Sequence, residues 1–104
     1  MAEISIVIPA YNAEQYIRET IRSVQRQTFS NYVCIVVDDG SIDGTEKILR
    51  DTIDSDRRFI IVKQKNSGEC SARNTGIAYV STPYVAVLDS DDIWHPRFLE
   101  SMMA

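Results

Sequence analysis

Tyr84-Val85-Ala86-Val87-Leu88-Asp89-Ser90-Asp91-Asp92 runs from five mostly apolar residues straight into three carboxylates within four positions. The apolar part is short, continuous and rich in β-branched and aromatic residues, with Pro83 just before it. That pattern predicts a buried strand. In a parallel α/β sheet, ligands sit off the carboxyl ends of the strands, so the acids lie where such folds do chemistry. Strand side chains alternate, which sends Asp89 and Asp91 to the same side if the extended backbone persists. Two oxygen donors there suit a hard divalent cation, and Mg²⁺ or Mn²⁺ commonly bridges protein carboxylates to substrate phosphates. The plainer alternative is an acidic turn leading into the next helix.

Working outward, the chain repeats the same grammar. Ile4-Ser5-Ile6-Val7-Ile8 is an apolar run ended by Pro9, as expected of a strand covered on both faces. Asn12 reads as a helix N-cap with Gln15 as its capping-box partner, and Tyr16 or Ile17, Ile21 and Val24 supply the apolar stripe of a helix over 13–27. Val33-Cys34-Ile35-Val36-Val37 is a second strand, ending in Asp38-Asp39-Gly40-Ser41. A short helix carries Glu46, Ile48, Leu49 and Ile53, and Phe59-Ile60-Ile61-Val62 is the third strand. A polar loop over 65–69 leads to a helix over 71–79 whose small residues suit close packing on a sheet. After the acid-tipped fourth strand, Pro96 fits a first helical position, and a last helix runs from Arg97 to the chain end. Strictly alternating strands and helices imply parallel strands, right-handed crossovers and helices on both faces. The expected fold is therefore a three-layer α/β/α, mostly parallel Rossmann-like sheet, incomplete at four strands. Residues 1–104 read as one domain, a fragment of a longer protein or a compact module that pairs with another chain.

Composition narrows the function. A net charge of −4 over 104 residues argues against a general nucleic-acid surface, which needs a basic patch, but not against a nucleotide whose charge is met by a metal. No run of 18 apolar residues exists, so no transmembrane helix is expected. The start, Met-Ala-Glu-Ile-Ser, lacks the basic and apolar regions of a signal peptide. Cys34 and Cys70 stand far apart and read as reduced, structural thiols of a cytoplasmic protein.

Standard α/β motifs are excluded in turn. No Gly-x-Gly-x-x-Gly follows the first strand, no Gly-Lys-Ser or Gly-Lys-Thr is present, and there is no Gly-x-Ser-x-Gly elbow. An EF-hand starting at Asp39 would place Arg50 where its last carboxylate belongs. His95, the one histidine, reads as a surface or packing residue beside Pro96. What remains is Pro9-Ala10-Tyr11-Asn12, Asp38-Asp39-Gly40-Ser41 and Asp89-Ser90-Asp91-Asp92, each at a strand's carboxyl end and able to converge on one crevice. Tyr11 can stack on a flat base, Asp39 can accept the imide N–H of uracil or thymine, Asp89 can reach a ribose hydroxyl and Asp91 can hold a metal on a diphosphate. The alternatives are loop packing for Tyr11 and a helix-capping acidic turn for Asp38 and Asp39.

The chain resembles the N-terminal, nucleotide-sugar-binding half of family 2 glycosyltransferases with the GT-A fold. The matching pieces are Ser5-Ile6-Val7-Ile8-Pro9-Ala10-Tyr11-Asn12, Gln27-Thr28-Phe29, Val37-Asp38-Asp39-Gly40-Ser41-Ile42-Asp43-Gly44-Thr45, Asn66-Ser67-Gly68, Ala72-Arg73-Asn74-Thr75-Gly76 and Leu88-Asp89-Ser90-Asp91-Asp92-Ile93-Trp94. The resemblance implies a base pocket lined by Pro9, Tyr11 and Asp39, with Asp38 serving the turn or the rim. It puts Arg73 near the sugar diphosphate. Asp89-Ser90-Asp91 would be the family's Asp-x-Asp motif, with Asp89 towards ribose or sugar and Asp91 on Mn²⁺ or Mg²⁺; Asp92 would only cap the turn. Arg73 has an alternative in an ion pair with one of these acids. The implied activity is inverting transfer from a nucleotide-diphosphate sugar, UDP-linked by preference, to a glycan or lipid-linked acceptor. The general base and acceptor site are expected in the second half, through which membrane association would also come.

Two other classes compete. A non-catalytic nucleotide-binding or oligomerisation module would share these features. A receiver domain wants an acidic pair after its first strand, whereas Pro-Ala-Tyr-Asn stands there. A half sheet leaves the fourth strand's edge open, which predicts self-association into a dimer or larger species.

Overall fold

The computed structural model describes residues 2–104. Its elements alternate throughout: β1 (Ile4–Ala10), α1 (Ile17–Gln25), β2 (Tyr32–Asp38), α2 (Thr45–Ile53), β3 (Phe59–Lys63), α3 (Glu69–Ala78), β4 (Tyr84–Val87) and α4 (Phe98–Met103). All strand pairs are parallel, and the order across the sheet is β3-β2-β1-β4. This is the expected three-layer α/β/α arrangement with four strands. Chain direction across the sheet reverses between β1 and β4, and such a switch point opens a crevice at the strand ends. The same order departs from the 2-1-3 start of a receiver domain.

Layering follows from alternation along the strands. Ile4, Ile6 and Ile8 of β1 and Cys34 and Val36 of β2 pack with Ile17, Ile21 and Val24 of α1, Leu49 and Ile53 of α2 and Leu99 of α4. The opposite face, with Ile35 and Val37, meets Ala72 of α3. Every residue of β1 is buried, as a strand with neighbours on both edges and helices on both faces must be. Cys34 is buried and Cys70 exposed, both as free thiols.

Several boundaries differ from the sequence reading. Pro9 does not end β1, which continues to Ala10. The Val7 carbonyl accepts the Leu88 N–H at 2.9 Å, and Pro9, two residues on, faces the same edge, past the last paired residue of β4. Its missing N–H therefore costs no ladder bond. Asn12 is not an N-cap. It sits at φ +47°, its Oδ1 accepts the Ile42 N–H and its own N–H reaches Ser41 Oγ, both at 3.0 Å. With Asn12 committed across the loops, α1 starts at Ile17 rather than 13. Pro96 lies before α4, which opens at Phe98.

β4 is not buried as expected. Tyr84, Val85 and Val87 are 59%, 47% and 39% exposed. The strand lies at the sheet edge, with β1 on one side and, among the described residues, no strand on the other. An apolar run thus records suitability for burial, while the position across the sheet decides whether burial happens.

The tight contact of α3 on the sheet was legible in its small residues. A Cβ on Gly76 would run into Val7 Cγ1 and press to 3.2 Å from Val37 Cγ2, both buried in the sheet. Alanine favours a helix by about 1 kcal/mol over glycine, but overpacking a core costs about 1–3 kcal/mol. Gly76→Ala is therefore expected to lower stability by up to about 2 kcal/mol in urea denaturation; a gain would show that α3 can lift off the sheet without penalty.

Candidate functional site

The crevice at the switch point is a cleft of about 660 Å³. Pro9, Ala10, Tyr11 and Asn12 follow β1 into it, Asp39 follows β2, and Asp89, Ser90 and Asp91 follow β4. Eight of the residues singled out from sequence thus share one wall system at the carboxyl end of the sheet. Asp38, Gly40, Ser41 and Arg73 are not in the lining. The cleft also holds residues the sequence reading did not assign, namely Ala13, Tyr16, Asn66, Gly68, Glu69 and Ala72. Tyr16, one of two candidates for the start of the helix stripe, precedes α1 and is 53% exposed beside the cleft, close to the 49% of Tyr11. The signal for Asn66 and Gly68 was a polar loop after a strand, on the same side as the others.

Asp39 is 2% exposed, and four donors surround its carboxylate. Oδ1 accepts from Gln64 Nε2 and the Ser67 N–H, both at 2.8 Å. Oδ2 accepts from the Gly68 N–H at 3.0 Å and Asn66 Nδ2 at 3.3 Å. Thr75 Oγ1 in turn donates to Gln64 Oε1 at 2.6 Å, fixing that amide. Burial pushes the Asp39 carboxyl up, and the bonds from Gln64, Ser67 and Gly68 more than reverse this, leaving it below its ordinary value. Asp39 is thus the clasp between the loop after β2 and the loop after β3. Gly68 makes that loop possible at φ +101°, a conformation open mainly to glycine.

The residues outside the lining shape these loops. Asp38 is buried and its Oδ1 accepts the Ser41 N–H at 3.1 Å. Gly40, at φ +73°, passes so close to the next loop that a Cβ there would lie 2.6 Å from the Asn66 nitrogen. Asp43 accepts the Thr45 N–H and hydroxyl at 3.0 and 2.6 Å and the Glu14 N–H at 3.3 Å. Burial raises its carboxyl and these bonds more than offset that, holding it below its ordinary value. Thr45 Oγ1 also takes the Ala13 N–H at 2.8 Å. The loop carrying Tyr11 is therefore tied to the loop carrying Asp39. Arg73 pairs with Glu69 at 3.4 Å, one helical turn back and in the cleft wall. Its Nε is buried without a partner among the described residues.

After β4 the extended backbone stops, and Asp92 N–H closes a turn onto the Asp89 carbonyl at 3.0 Å. The acids converge through this turn, not through strand alternation. One oxygen from each of Asp89, Asp91 and Asp92 lies within 4.8 Å of the others, all three side chains being exposed. Asp92, read from sequence as no more than a turn cap, belongs to this group. A hard, all-oxygen, solvent-open donor set of this kind fits Mg²⁺ or Mn²⁺ with positions left for phosphate oxygens and water. The lining carries Asp39, Glu69, Asp89 and Asp91 and no lysine or arginine.

Residues 5–104 match the family model described as Glycosyl transferase family 2. Among curated relatives, the glucosyltransferase WfgD of Escherichia coli (UDP-Glc:alpha-D-GlcNAc-diphosphoundecaprenol beta-1,3-glucosyltransferase) is 40% identical over 101 residues, covering 97% of this chain and 40% of WfgD. Glycosyltransferase GlyA of Streptococcus pneumoniae is 36% identical over 100 residues, covering 96% of this chain and 14% of GlyA. Among solved structures, S. aureus TarS 1-349 in complex with UDP-GlcNAc superposes with a TM-score of 0.91 at 28% identity, over 97% of this chain and 30% of that one. The chain thus spans well under half the length of these relatives, and its four-stranded sheet is the N-terminal part of their GT-A fold. On the family match, covering nearly the whole chain, this protein belongs to glycosyl transferase family 2.

Proposed function

We propose that the chain is the donor-binding part of an inverting glycosyltransferase that takes a sugar from a nucleotide-diphosphate sugar, UDP-linked by preference, with Mn²⁺ or Mg²⁺. The observation that carries this is the charge of the cleft. Four acidic and no basic residues line it. A diphosphate would be repelled there unless a cation bridges it to the carboxylates. The names of WfgD and the UDP-GlcNAc complex of TarS support the choice of a UDP-sugar.

In this reading Tyr11 stacks on the base. Asp39 receives the imide N–H at Oδ2, where the bond from Asn66 Nδ2, at 3.3 Å, is the longest of the four and the easiest to displace. Asp89 faces ribose or sugar. Asp91, with Asp89 and with Asp92 beside them, would hold the cation. The Arg73 guanidinium, paired with Glu69 of the cleft wall, would give the diphosphate one further donor on leaving that pair. When bound, the cation neutralises charge on the departing diphosphate. The anomeric carbon exchanges its bond to the diphosphate oxygen for one to the acceptor oxygen, and the acceptor proton passes to a general base. We assign that base, together with the glycan or lipid-linked acceptor site, to polypeptide outside residues 1–104. These residues would then form the nucleotide-sugar-binding part of a larger domain. Among the described residues no helix is long and apolar enough to cross a membrane.

Calorimetric titration with UDP, GDP and CDP, each with and without Mn²⁺, tests the proposal. UDP is expected to bind only when Mn²⁺ is present and more tightly than the other two. Equal UDP binding with and without metal would overturn the bridging role of the acids.

A further inference from the structure

The acidic turn is held from outside its own strand. β4 has ended at Val87 before the first acid. What grips the turn is α1, through a polar stripe on a helix face that otherwise belongs to the core. Thr20 is fully buried, and its Oγ1 lies 2.9 Å from the Ser90 carbonyl and 2.7 Å from the Asp92 carbonyl. Its one hydroxyl proton thus faces the two carbonyls that flank Asp91, with the Tyr16 carbonyl farther off at 3.4 Å. Three residues on, Ser23 Oγ accepts the Trp94 N–H at 3.2 Å. Seven on, Gln27 Nε2 donates to the His95 carbonyl at 2.7 Å and Oε1 accepts the Leu99 N–H at 3.0 Å. Thr20 and Ser23 fall on one side of α1, and Gln27 follows two residues past its end. Buried hydroxyls and amides there cost free energy unless partnered, and the backbone of residues 90–99 supplies the partners.

We infer that Thr20 is a positioning residue for the cation site: its hydroxyl clamps the Ser90 and Asp92 carbonyls and thereby sets the spacing of the Asp89, Asp91 and Asp92 carboxylates. Ser23 and Gln27 hold the following segment and leave the turn itself to Thr20. The inference rests on reading the acidic turn as the cation site. It concerns how that site is shaped, not whether it exists.

Trp94 is the only tryptophan and follows the turn by two residues, stacked on Phe98 with ring centroids 4.6 Å apart. Quenching of its fluorescence by paramagnetic Mn²⁺, in the presence of UDP, reads occupancy of the turn directly. Thr20→Val keeps the branched shape and removes the donor. Loss of an outer partner of a metal ligand set weakens affinity about ten- to hundredfold, and that is the expected rise in the Mn²⁺ midpoint for Thr20→Val. Thr20→Ser keeps the hydroxyl and should stay within about threefold of wild type, well below that range. Gln27→Ala removes bonds further along; it should lower the melting temperature and leave the Mn²⁺ midpoint in place. If Thr20→Val does not fold, Thr20→Ala, a better helix former, carries the same expectation. A wild-type midpoint in the Thr20 variants would overturn the inference, as would an equal shift in Gln27→Ala or Thr20→Ser. A wild-type chain with no Mn²⁺-dependent UDP binding would instead remove the reading of the cation site on which the inference stands.

Discussion

Asp39→Asn is expected to cost about 3 kcal/mol of stability, among the largest effects of any single polar substitution in this chain. The carboxylate is buried and accepts from four protein donors, two at each oxygen. An amide keeps one acceptor and turns N–H groups toward two of those donors, leaving buried N–H groups facing each other. Charge-assisted bonds are also roughly twice as strong as neutral ones. Because the folded-state carboxyl is held below its ordinary value, its contribution is fully present above the unfolded carboxyl range, near pH 4. It is lost as pH falls through the lower, folded value. The stability gap between wild type and Asp39→Asn should therefore be flat from about pH 5 to 7 and close as the solution is acidified below about pH 4. Urea denaturation across that range checks both magnitude and sign. A gap that widens in acid would mean Asp39 is not held ionised by these donors. Nucleotide binding should follow stability, since the clasp sets the distance between the loops bearing Asp39 and Gly68, both in the cleft lining.

The structure explains why some of this was readable along the chain and some was not. Each strand is a continuous apolar run because each helix crossover buries a face, so element order and the parallel sheet could be inferred from local pattern alone. The carboxyl-end clusters at Tyr11, Asp39 and Asp89 were likewise visible, since direction along a strand is written in the order of residues. Position across the sheet is not written there. β4 looks as apolar as β2, yet it is exposed because no strand among the described residues pairs with its outer edge. Asn12 has the chemistry of an N-cap, but long-range bonds to Ser41 and Ile42 outcompete the local use of that side chain. The partners of Asp39 come from 25 to 29 residues away. No spacing rule announces them, and so the role of Asp39 as a clasp appears only once β3 lies beside β2. The acidic turn shows the same limit at short range. Alternation pointed to Asp89 and Asp91, and the turn closed by the Asp92 N–H brings in the third acid.

Asp91→Ala should separate the resting chain from its liganded form. In the resting chain, three exposed carboxylates lie within 4.8 Å of one another, so each repels the other two. Removing Asp91 relieves that repulsion and should leave the melting temperature without ligand unchanged or slightly raised. With Mn²⁺ and UDP the sign reverses. A ligand at about one hundred times its dissociation constant stabilises a protein by about 2.7 kcal/mol, which for a domain of this size raises the melting temperature on the order of 10 °C. Asp91→Ala should lose most of that rise, while UDP alone shifts neither protein. Thermal melts of both proteins, with UDP and with or without Mn²⁺, are sufficient. A variant that melts well below wild type before any ligand is added would show that Asp91 supports the fold. An undiminished Mn²⁺-dependent rise would place the cation elsewhere in the cleft. The opposite signs matter because a purely structural acid lowers both melting temperatures together, whereas a group kept for binding costs the empty protein and stabilises only the loaded one.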